Sequence, residues 1–276
     1  MKAVATGDIS MYNFFVNSND INDNFAKISG EDYNHIRNVL RMKIGTKILI
    51  NDKEKSNSYL AEIQEIGAKE IICKVIEKMA SNEMSVNVTL FQGIPKSDKM
   101  EYIIQKSVEL GVSEIVPTEM KNCVAKINNE ENKLTRWNKI SETAAKQSKR
   151  SIIPKVESKI SFDDLLNKIK EFDLVIVAYE NEKHTSLKDV LQNCKGVKNI
   201  AIIIGPEGGI DTKELKLLED NGVQVASLGK RILRTETAPI VMLSMILYEY
   251  EMWFDEYKII LNVIDKHMGK RFWRID

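Results

Sequence analysis

The stretch "IIIGPEGG" (202–209) sets a carboxylate, Glu207, among three glycines at the end of an apolar run. Glycine-rich turns after buried strands are where ligands of α/β sheets gather, and glycine lets the backbone approach a ligand closely. The pattern is not a phosphate cradle. A P-loop needs Lys and Ser or Thr after its last glycine, and a dinucleotide turn reads Gly-x-Gly-x-x-Gly; neither occurs in the chain. Glu207 would also repel a phosphate, so the predicted ligand is neutral or cationic. Two further turns, in "VAYE" (177–180) and "LGKRILRTETAPI" (228–240), follow apolar runs of the same kind. In a parallel sheet all three turns lie at one edge and can build one site. The plain alternative for any single glycine is a helix cap or a tight turn. Metal chemistry is not expected. Cys73, Cys123 and Cys194 are far apart and His35, His184 and His267 are isolated, without zinc-ligand spacing.

The elements that would carry these turns alternate. "VNVTLFQ" (86–92), "EIVP" (114–117), "LVIVAYE" (174–180), the run at 200–204 and "VQVASLG" (223–229) read as strands. Between them, Met100, Ile103, Ile104, Ser107 and Val108 mark one face of a helix, with Asp98 and Glu101 as a capping box. A helix is predicted over 133–148 and another after Ser161 and Asp164, with Phe162, Leu165, Leu166 and Ile169 inward. Asp211 and Glu214 predict a further capping box, and Asn221-Gly222 a helix end. Pro239 sits in the first turn of a long helix. Repeated βα units predict an α/β domain with a largely parallel sheet over 86–250. Residues 11–80 differ. "KILIND" (47–52), "SYLAEIQEI" (58–66) and "EIICKVIE" (70–77) have strand composition, and one helix is expected near "EDYNHIRNVLRM". This predicts a small β domain, a barrel, joined by "MASNEMS" (79–85). Residues 1–10 read as a leader and 251–276 as a C-terminal extension, a helix that packs on the domain or on a partner chain.

The 276 residues suffice for two domains. Apolar content of 43% and charged content of 29% fit a globular chain. Forty basic and forty acidic side chains cancel, so no global field announces a polyanionic partner. Residues 121–160 nevertheless hold ten Lys or Arg against four Glu, a solvated helix face or part of a nucleic-acid footprint. Unpaired thiols and the lack of a signal-peptide core or membrane-length apolar run predict a cytoplasmic protein without a membrane partner.

"QGIPKSDKMEYIIQKSVELGVSEIVP", "KQSKR", "IGPEGG" and "LGKRILRTETA" together resemble the bacterial enzymes that methylate uridine N3 in 16S ribosomal RNA, members of the SPOUT class. The similarity runs from about Met11 to Glu249. It implies a PUA-like β-barrel at 11–80 and a methyltransferase domain with a deep trefoil knot. It implies S-adenosylmethionine as cofactor, held by backbone around Ala178, from Ile204, Gly205, Pro206, Gly208 and Gly209, and from Leu228, Gly229, Ile232, Leu233, Thr235 and Ala238. That cationic sulfonium carries no phosphate, in keeping with the predicted ligand.

The resemblance further implies RNA contacts at His35, Arg37 and Arg41, with Lys96, Lys99, Lys149 and Arg150. It implies 16S ribosomal RNA or the small ribosomal subunit as partner, and a homodimer. Arg234 is assigned to the uracil oxygens, and Glu207 to orienting groups or taking the proton. The alternative for Arg234 is a structural ion pair with Glu236 or Glu207. Three positions depart from the family pattern: Asn13 and Asn122 stand where arginine is usual, and Lys146 where an acid is common. Two other readings stay open: a methyltransferase of the same fold acting on another base or a ribose hydroxyl, and an RNA-binding protein without activity.

Overall fold

The computed structural model describes residues 12–124, 130–194 and 196–250. The expected leader and the 251–276 extension lie outside the described residues. The chain forms two compact units. One comprises residues up to Glu83 together with Ser141–Ile153, and the other Met84–Ile140 and the residues from Pro154 on. A division at 80–86 therefore misses one exchange: "KQSKR" groups with the first unit.

The first unit is a five-stranded sheet of β1 (Asn13–Val16), β2 (Phe25–Ser29), β3 (Lys47–Asp52), β4 (Ser58–Ile66) and β5 (Glu70–Met79). Their order is β1-β3-β4-β5-β2, with β1 parallel to β3 and the other pairs antiparallel. The outer strands β1 and β2 also touch, so the sheet curls on itself. Alternate residues point inward, and Ile28, Ile48, Ile50, Ala61, Ile63, Ile71 and Cys73 fill its core. The single helix expected near residue 35 is broken in two. A short α1 (Gly30–Asn34) runs into a π-helical turn over His35–Leu40. Arg41 closes that turn in the left-handed region, at φ 50°, its N–H donating to Ile36 O.

The second unit is built on an all-parallel sheet. Its strands are β6 (Asn87–Gly93), β7 (Glu114–Glu119), β8 (Lys155–Val156), β9 (Ile160–Ser161), β10 (Leu174–Ala178), β11 (Asn199–Ile204) and β12 (Gln224–Ala226). The order is β12-β10-β11-β6-β7-β8, with β9 also on β7. The helices are α2 (Lys99–Glu109), α3 (Glu130–Gln147, of which the residues from Ser141 on group with the first unit), α4 (Phe162–Lys168), α5 (Leu187–Asn193), α6 (Thr212–Asp220) and α7 (Ala238–Tyr250). β11 is buried from Ile200 to Ile204, as a central strand covered on both faces must be.

The inward face predicted for α2 is the buried one, and Ser161 with Asp164 forms the predicted capping box of α4. Gly222 ends α6 at φ 81°. Two other predicted boxes are changed. The Asp98 side chain makes no cap bond, and Glu101 instead binds Arg136, 2.7 Å away. Asp211 caps α6 through Lys213 N–H, while the Glu214 carboxylate accepts from Lys121 N–H at 2.8 Å. Both glutamates found longer-range partners that no local pattern announces. After β12 the chain returns to the middle of the sheet before α7. Thr235 bonds there to Gly205 O beyond β11 and to Gln92 on β6.

Candidate functional site

Because the second sheet is wholly parallel, the turns after β6, β7, β10, β11 and β12 leave one edge. A pocket of about 370 Å3 opens there, within the size range of small-molecule sites. The three predicted turns all line it. Ala178, Ile204, Gly205, Pro206, Gly209, Leu228, Gly229, Ile232, Leu233, Thr235 and Ala238 form its wall. Gly208 does not. Its hydrogen face turns to Asn122, whose Cβ is 2.9 Å from where a Gly208 Cβ would stand.

The turn holding Glu207 is tightly specified. Gly209 N–H donates to Pro206 O at 2.9 Å, closing a β-turn, and Gly209 sits at φ 69°, where a side chain is strained. A Cβ on Gly209 would lie 3.0 Å from Glu180 Oε1. Beneath the turn runs Gly93, at the end of β6. A Cβ there would meet Pro206 N at 2.6 Å and Gly205 C at 2.9 Å. Thr235 fastens the third loop to the second: its hydroxyl donates to Gly205 O at 2.7 Å and accepts from Gln92 Nε2 at 3.0 Å.

The charges on the wall are paired in an order the sequence did not predict. Glu207 does not meet Arg234. It accepts from Lys96 N–H at 3.1 Å and pairs with Lys99 Nζ at 2.9 Å. Burial works to raise the Glu207 pKa, but the Lys99 ammonium and backbone N–H donors outweigh it and hold the carboxyl below its ordinary value. Lys99 also reaches Glu236 at 3.2 Å. Glu207 foremost, then Glu236, pushes the Lys99 ammonium above its ordinary pKa. Lys99, assigned from sequence to RNA, is thus a pocket residue engaged by two carboxylates. Arg234 lies 3.9 Å from Glu236, with its side chain 82% exposed. That is a loose contact at the pocket wall.

The residues assigned to RNA divide by environment. In the first unit, His35, Arg37, Arg41 and Lys149 are exposed. Arg37 bonds to the Tyr33 hydroxyl and lies 5.7 Å over its ring. Arg150 is different. It is 5% exposed, its guanidinium is bound to Glu83, and its carbonyl accepts from Asn13 Nδ2 at 2.9 Å. This buried pairing gives Arg150 a structural role and leaves it no outward face for a phosphate. In the second unit Lys96 is exposed.

Sequence reading passed over Gly93, Gln92, Glu180 and Arg231, and named Glu236 only as an alternative partner of Arg234. Glu180 and Arg231 stand inside the quoted turns and line the pocket. Gly93 follows a strand and precedes "IP", the signal that could have marked it. Gln92 and Glu236 act through folded contacts alone.

Glycine-backed loops, apolar walls and the Glu180 and Glu207 carboxylates fit a nucleoside-bearing cation. Among the described residues, no group of His, Cys, Asp and Glu is placed to hold a metal ion. No described helix is long and apolar enough to cross a membrane.

The protein family described as "RNA methyltransferase domain" matches residues 82–247, and "RNA methyltransferase PUA domain" matches residues 28–76. Two relatives carry the name "Ribosomal RNA small subunit methyltransferase E". The Bacillus subtilis protein is 35% identical over 82% of this chain and 90% of its own length. The Mesomycoplasma hyopneumoniae protein is 38% identical over 85% and 98%. A solved structure of the Neisseria gonorrhoeae protein of that name, bound to S-adenosyl methionine, superposes with a TM-score of 0.77. It has 28% identity and covers 87% of this chain and 98% of that one.

Proposed function

The chain belongs to the RNA methyltransferase family of the relatives named ribosomal RNA small subunit methyltransferase E, and on that footing we propose that it methylates uracil N3 in 16S ribosomal RNA. The donor is S-adenosylmethionine. The observation that carries this reading is the pocket where the three loops meet, walled by their glycine-rich backbone together with the Glu180 and Glu207 carboxylates.

The bound donor supplies an electrophilic methyl group on a sulfonium. The chain supplies position and charge. The loops around Ala178, Gly205 and Leu228 orient the donor, and such fixing accounts for much of the rate of a two-substrate reaction. N3 must lose a proton, and negative charge then spreads onto O2 and O4. Arg234, exposed beside the pocket, is a cation that can meet that charge. Glu207, kept ionised by Lys99 and the Lys96 N–H, is a poor base near neutral pH. Its part is to orient groups, and the proton passes to water.

The test is direct. Calorimetry with S-adenosylmethionine should give binding heat, and 16S ribosomal RNA from cells lacking the protein should miss one methyl group at a uracil N3. A mass map showing that uracil unchanged, with a base or ribose elsewhere affected, would replace this reading with its same-fold alternative.

The first unit presents His35, Arg37, Arg41 and Lys149 to RNA in this proposal. Replacing Arg37 and Arg41 together with Ala should weaken RNA binding and flatten its salt dependence by about two counterions. Donor affinity should stay unchanged; a matching loss of donor binding in calorimetry would show that the two functions are not divided between the units.

A homodimer is also part of the proposal. Along α7, Met242 and Ile246 are buried, whereas Val241 and Met245 are half-buried and Tyr248 is 52% exposed. This apolar surface extends past the core contact and suits a second copy. Light scattering at micromolar concentration should return twice the chain mass, and a stable monomer there rules the dimer out. The setting is the cytoplasm, where the RNA substrate is.

A further inference from the structure

The turn that carries Glu207 is gripped from two sides. On the side of β6, Lys96 and Lys99 hold the carboxylate. On the other side stands the turn after β7. Asn122 Nδ2 donates to Gly208 O at 3.2 Å and to Gly209 O at 3.3 Å. The missing Cβ of Gly208 makes room for this approach, since it would fall 2.9 Å from Asn122 Cβ and 3.1 Å from Asn122 O. The turn after β7 is itself anchored. Lys121 N–H donates to the buried Glu214 at 2.8 Å, Lys121 Nζ pairs with Asp211 at 2.6 Å, and Cys123 N–H returns to Met120 O at 2.9 Å. Asn122 is therefore a fixed donor aimed at a glycine turn, with the first residues of α6 as its footing.

We propose that Asn122 is a positioning residue for methyl transfer, holding the Gly208–Gly209 carbonyls outward so that the donor loop keeps its bound shape before the donor arrives. The proposal rests on reading the pocket as the S-adenosylmethionine site. The physical reason is preorganisation: a turn containing two adjacent glycines has many backbone states, and ordering it on binding weakens affinity. Asn122 carries both donor hydrogens on one amide and so satisfies two carbonyls at once. Asparagine here is matched to the close approach that Gly208 allows.

The test uses the full-length protein with two variants, S-adenosylmethionine calorimetry and steady-state methylation of 16S-derived RNA. Asn122→Ala should weaken donor binding about tenfold, the scale of two lost neutral hydrogen bonds. Asn122→Asp keeps the shape but offers two acceptors to two carbonyl oxygens, so it should weaken binding more than Ala does. Donor KM should rise in step while kcat at saturating donor stays within about twofold, because the bound donor restores the loop. RNA affinity should not change. An Asp variant that binds donor as the wild type does overturns the proposal, since only packing would then matter. A fall in kcat with donor KM unchanged overturns it equally. If thermal melting shows that Ala fails to fold, the isosteric Asp variant decides. Absence of donor heat from the wild type would instead overturn the reading of the pocket itself.

Discussion

Gly93→Ala should cost donor binding on the order of a hundredfold, although Gly93 does not line the pocket. The added methyl would stand 2.6 Å from Pro206 N, 2.7 Å from Pro206 Cδ and 2.9 Å from Gly205 C. Carbon contacts settle near 3.5 Å, so something must move by about 1 Å. β6 cannot yield easily. It is paired on both sides, by β11 and β7, and Leu90, Phe91 and Gln92 are fully buried. The loop must yield instead, and it is the loop that shapes the pocket. Displacements near 1 Å in a positioned site cost about a hundredfold, while overpacking costs about 1–3 kcal/mol of stability. Calorimetry with S-adenosylmethionine and a thermal melt separate the two. A variant that melts a few degrees early yet binds donor within threefold of wild type would refute the close-packing account.

The fold was legible where the pattern is local. The strands at 47–52, 58–66 and 70–77 and the α2 face Met100, Ile103, Ile104 and Val108 follow from period-2 and period-3.6 spacing. So does the buried run ending at Ile204. What stayed hidden is what only the folded chain brings together. Glu101 and Glu214 looked like cap residues, because their spacing is right. Their carboxylates instead reach Arg136 and Lys121, and no window of a few residues contains those partners. The exchange of Ser141–Ile153 into the first unit is hidden for the same reason.

The departures from the family pattern became legible only as packing. Asn13 is 5% exposed and ties β1 to Arg150 O, with Asn51 beside it. Lys146 bonds Asp32 at 2.8 Å and Glu142 at 2.9 Å. Asn122 holds Gly208 and Gly209. Each of these three side chains thus has a short-range partner. The pairing of Glu207 with Lys99 had the same obscurity. The ligand class, by contrast, was expected from Glu207 and the glycines alone, although in the fold Lys99 compensates that carboxylate.

Arg234→Ala should lower turnover on the order of a hundredfold or more at neutral pH, with donor affinity unchanged. Removing one fixed electrostatic donor from a transition state has that scale. The structure narrows what the side chain can be doing. Glu207 is satisfied by Lys96 N–H and Lys99, so it does not depend on Arg234, and Lys99 also lies 3.2 Å from Glu236. With 82% of its side chain exposed and Glu236 no nearer than 3.9 Å, Arg234 contributes little as an ion pair. Its loss should leave the melting temperature near that of wild type. The pH profile then carries the mechanism. Arg234 favours the N3 anion by stabilising charge on O2 and O4, and raising the pH favours the same anion through hydroxide. The deficit of the variant should therefore shrink as pH rises. Glu207 adds no opposing limb there, because its depressed pKa keeps it ionised from neutral pH upward. A variant with near-full turnover at neutral pH, or one whose deficit is flat from neutral to alkaline pH, would remove Arg234 from the chemistry. The rate would then rest on the positioning of donor and base by the three loops.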